Sequence, residues 1–168
     1  MLGDGNGWVV APSGMKLWGK YGAAGLFLVA DGGQAGETGR ETGQEGVEKQ
    51  VLLQHRAKWT AQGGTWGIPG GAIDSHETAA EAAVRETVEE CAIDPAQVEV
   101  VDTMVTAEFP GWSYTTVLAR CDAPLEVQAN EESEELRWVE LSRVREFDLH
   151  PGFAGSLERV MGHTVTHD

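Results

Sequence analysis

Apolar residues along this chain fall into short runs separated by glycine-rich and polar stretches, and the period of each run predicts its element. Residues 1–7 are glycine-rich and predict a mobile terminus. Trp8-Val9-Val10 predicts a short strand. Gly25-Leu26-Phe27-Leu28-Val29 has no polar break and reads as a buried strand, with Val51-Leu52-Leu53-Gln54-His55-Arg56 returning beside it. Between the two, residues 31–49 are Gly, Glu, Gln and Thr with almost nothing apolar, so a flexible insertion at a hairpin tip is expected. A loop carrying Trp59 follows over residues 58–64. Residues 98–105 and 112–120 predict two further strands, joined through the turn chemistry of Glu108-Phe109-Pro110-Gly111. An acidic loop over 130–135 precedes a strand at 136–139. Ser142 is expected to cap a short helix over 142–147, and a last helix is expected from Pro151 to about residue 160, with Gly162 as its stop.

The strongest helical signal sits in the middle. Asp74 and Ser75 are good N-cap residues, and Glu77 three positions on suggests a capping box. No Gly or Pro interrupts from there to Cys91, and Ala80, Ala83, Val84, Thr87 and Cys91 recur at helical spacing to give a narrow apolar face. Strands on both sides of this helix predict an α+β fold, a mixed β-sheet in an α/β/α sandwich. No linker or internal repeat divides residues 1–168, which are read as one domain.

Charge then changes the picture of that helix. Glu86, Glu89 and Glu90 fall at i, i+3 and i+4 on one side of it. Like charges so placed weaken a helix by ~0.2–0.5 kcal/mol per pair. A hard divalent cation reverses the sign of the interaction, since Mg²⁺ seeks oxygen ligands. The glycine loop feeding the helix, Trp66-Gly67-Ile68-Pro69-Gly70-Gly71, can approach such an ion closely and add a backbone carbonyl. Arg85 can reach Glu89 one turn on and hold the carboxylates in place. The cluster reads as a metal site.

The same run resembles the Nudix box, G-x5-E-x7-R-E-U-x-E-E-x-G-U with U a bulky aliphatic residue. Gly71, Glu77, Arg85, Glu86, Glu89, Glu90 and Ile93 occupy matching positions. Thr87 stands where an aliphatic residue is usual, and Ala92 replaces the last glycine. An alanine disfavours positive φ, so a changed helix exit is expected there. The resemblance covers roughly residues 23 to 160 and implies the same sandwich. It also implies hydrolysis of a nucleoside diphosphate linked to another group. On the family pattern Glu86, Glu89 and Glu90 would hold Mg²⁺ or Mn²⁺ with the backbone carbonyl of Gly70, and Arg85 would orient the carboxylates. Glu86 would act as, or assist, the base. Gly71 and Glu77 would be structural, Glu77 bracing the glycine loop or simply capping. Glu132, six residues before Trp138, is the match for a second carboxylate from a distant loop, against the alternative of a solvated acidic turn. Arg56 would contact substrate phosphates or make a surface ion pair; both readings stay open.

Composition narrows the partners. Apolar residues are 41% and charged ones 23%, as in soluble globular proteins. A net charge of −15 argues against a nucleic-acid polymer, which requires a basic footprint. A small anionic nucleotide remains compatible if metal ions screen both sides. Cys91 and Cys121 are too few for a disulfide scaffold, and Cys91 is expected as a buried thiol. No leader or long apolar run is visible, so no membrane partner and a cytoplasmic location are expected. Dimers occur in the resembled class, so a homodimer is admissible on that ground, although no apolar stripe marks one. The leading expectation is a MutT-like house-cleaning pyrophosphohydrolase, with oxidised purine dNTP among its substrates. An ADP-ribose or nucleotide-sugar pyrophosphatase is the alternative enzyme, and a non-catalytic nucleotide-binding module is the alternative outside enzymes.

Overall fold

The computed structural model describes residues 4–10, 12–14, 16–31, 49–57, 64–130 and 133–166, without the side chains of 163–166. Two short strands, β1 (Trp8–Val10) and β2 (Lys16–Trp18), form an antiparallel hairpin. The main sheet is built from β3 (Ala23–Ala30), β4 (Gln50–Arg56), β5 (Trp66–Gly67), β6 (Gly70–Ala72), β7 (Glu99–Phe109), β8 (Trp112–Cys121) and β9 (Ser133–Glu140). Its path runs β5-β4-β3-β8-β7, with β6 added to β3 and β9 to β4. The β3–β8 pair is parallel and the other pairs are antiparallel, so the sheet is mixed. The continuous apolar run of β3 follows from its place: every residue is buried, as in strands covered on both faces.

Alternation along the strands sends side chains to two cores. Phe27, Val29, Val51 and Leu53 meet Phe153, Leu157 and Val160 of α2 (Pro151–Thr166). Leu26, Leu28, Ala30 and Leu52 meet Ala83 and Cys91 of α1 (Ala79–Cys91), with Ile93 just beyond it. The expected sandwich is therefore formed.

The strands β3 and β4 pair at Val29–Val51 and Ala30–Gln50 and then part. The glycine loop fills the opening. Its β5 pairs with Gln54 and His55 of β4, its β6 pairs with Ala23 to Gly25 of β3, and the Leu26 N–H donates to the Pro69 carbonyl at 2.9 Å. This wedge carries the loop to the start of α1.

Several expectations need correction. The helix does not start at Asp74 or Ser75: Thr78 is the N-cap, and the reciprocal box is Thr78–Glu81. Asp74 and Glu77 instead close a turn before it, the Asp74 N–H donating to Glu77 Oε1 and the Glu77 N–H to the Asp74 carbonyl. Gly162 does not stop α2, which continues to Thr166. Ser142 lies inside a 3₁₀ segment, Leu141–Glu146, whose cap position is Glu140. The terminus expected to be mobile is tied down from Asp4 onward. Most of the polar insertion (32–48) and of the Trp59 loop (58–63) lies outside the described residues.

Candidate active site

The acidic face of α1 looks onto the glycine loop because small side chains line the helix beneath it. Ala82, Ala83, Thr87 and Cys91 are buried against the sheet. Thr87, the departure from an aliphatic residue, is accommodated by its hydroxyl, which donates to the Ala83 carbonyl at 2.7 Å. Glu90 is buried too, and its Oε1 accepts from the Gly70 N–H and from Gln54 Nε2, each at 3.3 Å. Gln54 is itself buried and also donates to Ser133 Oγ at 2.8 Å. Gly71 faces Glu86 so closely that a Cβ there would lie 2.5 Å from the carboxyl carbon. That contact, not backbone flexibility, is what this second glycine provides.

Arg85 is the hub. Its Nε donates to Glu77 Oε2 at 2.6 Å, and its Nη2 to Glu77 Oε1 at 2.9 Å and to the Ala72 carbonyl at 3.1 Å. Nη1 donates to Glu86 Oε2 at 3.1 Å. Asp74 and Glu89 stand at 3.6 Å from the same guanidinium. Four carboxylates thus share one cation. The hydrogen bonds from Arg85 hold the Glu77 carboxyl below its usual range. Burial pushes the Glu86 carboxyl upward against the pull of Arg85, and Glu89 adds to the rise. Glu86 is half-buried and Glu90 buried, so two carboxyls of one helix stand against the glycine loop with little access to water.

The structure brings Glu86, Glu90, Arg85, Glu77, Gly70 and Gly71 together. Glu89 sits on the rim, its side chain 55% exposed. Among the described residues, the set whose ligand atoms all lie within 4.8 Å of one another is Asp74, His76 and Glu77; Glu86, Glu89 and Glu90 are spread more widely. Glu132 lies outside the described residues. Arg56 ends β4, where its charge reaches the Tyr114 hydroxyl and His150. Burial, followed by Glu90, pushes the Tyr114 hydroxyl up, and burial pushes the Cys91 thiol up to about 12, leaving it inert as anticipated for a buried cysteine. Two contributors escaped the sequence reading. Gln54 announces itself only as a polar residue within an apolar strand. Asp74, a good cap by residue type, instead faces Arg85 at 3.6 Å.

Ala92 makes the turn expected of the missing glycine. It is left-handed, with φ 60° and ψ 35°, and its N–H donates to the Val88 carbonyl at 3.0 Å. The changed helix exit expected for alanine does not occur. Burial of Ile93 and the bond from the Gln128 N–H to the Cys91 carbonyl at 2.8 Å hold the residue there.

This fold and acidic loop-helix site define a phosphoanhydride hydrolase class, and comparison with known proteins agrees. The NUDIX domain profile matches residues 41–160. A Mycobacterium tuberculosis H37Rv protein with the provisional name 8-oxo-dGTP diphosphatase 3 is 50% identical over 166 residues, spanning 94% of this chain and 70% of that protein. The crystal structure of a Nudix hydrolase from M. smegmatis, RenU, superposes with a TM-score of 0.87 at 45% identity, covering 98% of both chains. A Caenorhabditis elegans Ap4A hydrolase complex superposes with a TM-score of 0.63 at 25% identity, over 86% of this chain and 98% of that one. The chain belongs to the Nudix family. It is an enzyme, a nucleotide pyrophosphohydrolase. No described helix is long and apolar enough to cross a membrane.

Proposed function

We propose that the enzyme hydrolyses purine nucleoside triphosphates, oxidised purine dNTP foremost, with Mg²⁺ or Mn²⁺ held by Glu86, Glu89, Glu90 and the backbone carbonyl of Gly70. The observation that carries this reading is the placing of two carboxyls of one helix against the glycine loop: Glu86 packs on Gly71, and Glu90 Oε1 accepts from the Gly70 N–H. Carboxyls gathered there with Glu89 outnumber the one guanidinium of Arg85, and a further cation at such a set of hard oxygens is favoured as a divalent ion. Such an ion, when bound, neutralises charge on the diphosphate oxygens and activates water.

The protein's own share is positioning. Arg85 fixes Glu86 from one side, and the Gly70 N–H with Gln54 fixes Glu90 from the other. In the reaction, a water oxygen bonds to phosphorus, its proton passes to a carboxylate, and the bridging P–O bond between the α- and β-phosphates breaks, giving nucleoside monophosphate and pyrophosphate. Glu86 and Glu132 are the two candidates for that proton acceptor. Arg56 is assigned to the substrate phosphates. The substrate choice is supported by the M. tuberculosis relative, whose name gives 8-oxo-dGTP.

The test is product release from canonical and oxidised dNTPs, dinucleoside polyphosphates, ADP-ribose and nucleotide sugars, with and without Mg²⁺. Mg²⁺-dependent turnover should be greatest on 8-oxo-dGTP. Glu90→Gln should lower kcat by roughly 10²–10³-fold, the scale of losing one preorganised electrostatic group. Equal rates with and without the ion, or a Glu90→Gln enzyme as fast as the wild type, would refute the metal-site reading.

A further inference from the structure

We propose that the N-terminal segment around Asp4 and Gly5 is a positioning element of the active site, acting through Asp74 on Arg85. The inference rests on the metal-site reading above. Asp74 lies in the turn between β6 and α1 and is 6% exposed. Its Oδ1 accepts from the Gly5 N–H at 2.9 Å, and its Oδ2 faces Arg85 Nη2 at 3.6 Å. Next to it the Ser75 N–H donates to Asp4 Oδ1 at 2.8 Å, and the Ser75 hydroxyl donates to Asp4 Oδ2. The turn is thus gripped from outside by two consecutive residues that lie some seventy positions earlier in the chain.

The grip is specific. A Cβ on Gly5 would collide with the Ile73 carbonyl, so only glycine allows this approach. The segment is anchored in turn to the neighbouring hairpin: the Gly5 carbonyl accepts from Lys20 N–H and the Gly7 carbonyl from Gly19 N–H, both at 2.7 Å. That hairpin contributes little to the core. Trp8, Val10 and Trp18 remain exposed, and Trp18 meets the main sheet through its carbonyl, which accepts from Trp112 Nε1 at 3.2 Å. Hydrogen bonds to the turn of Asp74, rather than apolar burial, are what the segment makes.

The consequence falls on Arg85. One guanidinium divides itself between Asp74, Glu77, Glu86 and Glu89. Its position is a balance of those pulls, so a fixed Asp74 sets how firmly it holds Glu86. Asp74, His76 and Glu77 form a compact acidic group. Both carboxylates are already engaged, by Gly5 and by Arg85, so the group serves as a brace. Asp74 is therefore a positioning residue, acting through Arg85.

Full-length Gly5→Ala, Asp4→Ala and Asp74→Asn test this, read by Mn²⁺ affinity in calorimetry, by the Mg²⁺ concentration for half-maximal rate, and by kcat. Gly5→Ala should weaken Mn²⁺ binding about 10-fold, as loss of an outer partner of a metal site does, and raise the Mg²⁺ midpoint in parallel. Asp74→Asn, which keeps the acceptor for Gly5 but loses the charge, should shift both in the same direction. Asp4→Ala, which removes only exposed contacts, should give a smaller shift of the same sign, and it decides the matter if Gly5→Ala does not fold. Mn²⁺ affinity and Mg²⁺ midpoint at wild-type values in folded Gly5→Ala, or in Asp4→Ala if it alone folds, would overturn the inference. A wild type that turns over without response to Mg²⁺ would instead overturn the reading on which it rests.

Discussion

The two helices cover the sheet with different materials. α1 lies against β3 and β6 and buries Ala82, Ala83, Thr87, Glu90 and Cys91. α2 lies against β7 and β8 and buries Phe153, Leu157 and Val160. Small side chains let the α1 backbone approach the strands, so that short-reaching carboxylates meet the glycine loop. Large ones on α2 remove more apolar surface from water, at ~1.5–3 kcal/mol for each fully buried side chain. Burial on one face serves geometry and on the other serves stability. The lesson is that the less stabilising interface is the one carrying the chemistry.

The division can be broken from either side. Leu157→Ala should cost about 2–5 kcal/mol in urea unfolding while leaving the Mg²⁺ response of the folded enzyme unchanged. A weakened Mg²⁺ response would mean that α2 also shapes the site. Gly71→Ala should do the opposite. Its methyl displaces the Glu86 carboxyl, and kcat/KM should fall about 10²-fold, the scale of an ångström-sized misplacement, with a smaller loss of thermal stability than Leu157→Ala. Wild-type kinetics in that variant would show that Glu86 has slack the structure does not suggest. The smallest effect belongs to the helix exit. Ala92→Gly should stabilise the protein by about 1 kcal/mol by relieving a left-handed alanine, with turnover unaffected, as chemical denaturation and steady-state rates would show.

What could be read beforehand follows the same local logic. The strand Ala23–Ala30 is announced by an unbroken apolar run, and the acidic face of α1 by spacing within three turns, because both signals are local. The start of α1 was less legible. Asp74 and Thr78 are both good caps, and the choice between them is made by Glu77 and Arg85, which draw Asp74 into a turn of its own. Gln54 and Gly5 were illegible for a stronger reason: each matters only through a neighbour brought in by the fold. Ala92 was legible as a departure but not in its outcome, since buried Ile93 holds a backbone shape that alanine alone disfavours.

The parallel register of β3 with β8, from Ala23 opposite Tyr114 to Ala30 opposite Cys121, also bears on how the molecule comes into being. The glycine loop and the whole of α1 lie in the stretch of chain between these partners. Joining them closes a long loop, and such non-local pairings are what slow a folding reaction. The helix and the β3–β4 hairpin that receives the glycine wedge need no closure of that length, but the second edge of β3 finds its partner only through it. Completion of the sheet on which α1 lies therefore depends on this non-local pairing, and β3 has no partner on its second edge before the residues of β8 have been synthesised.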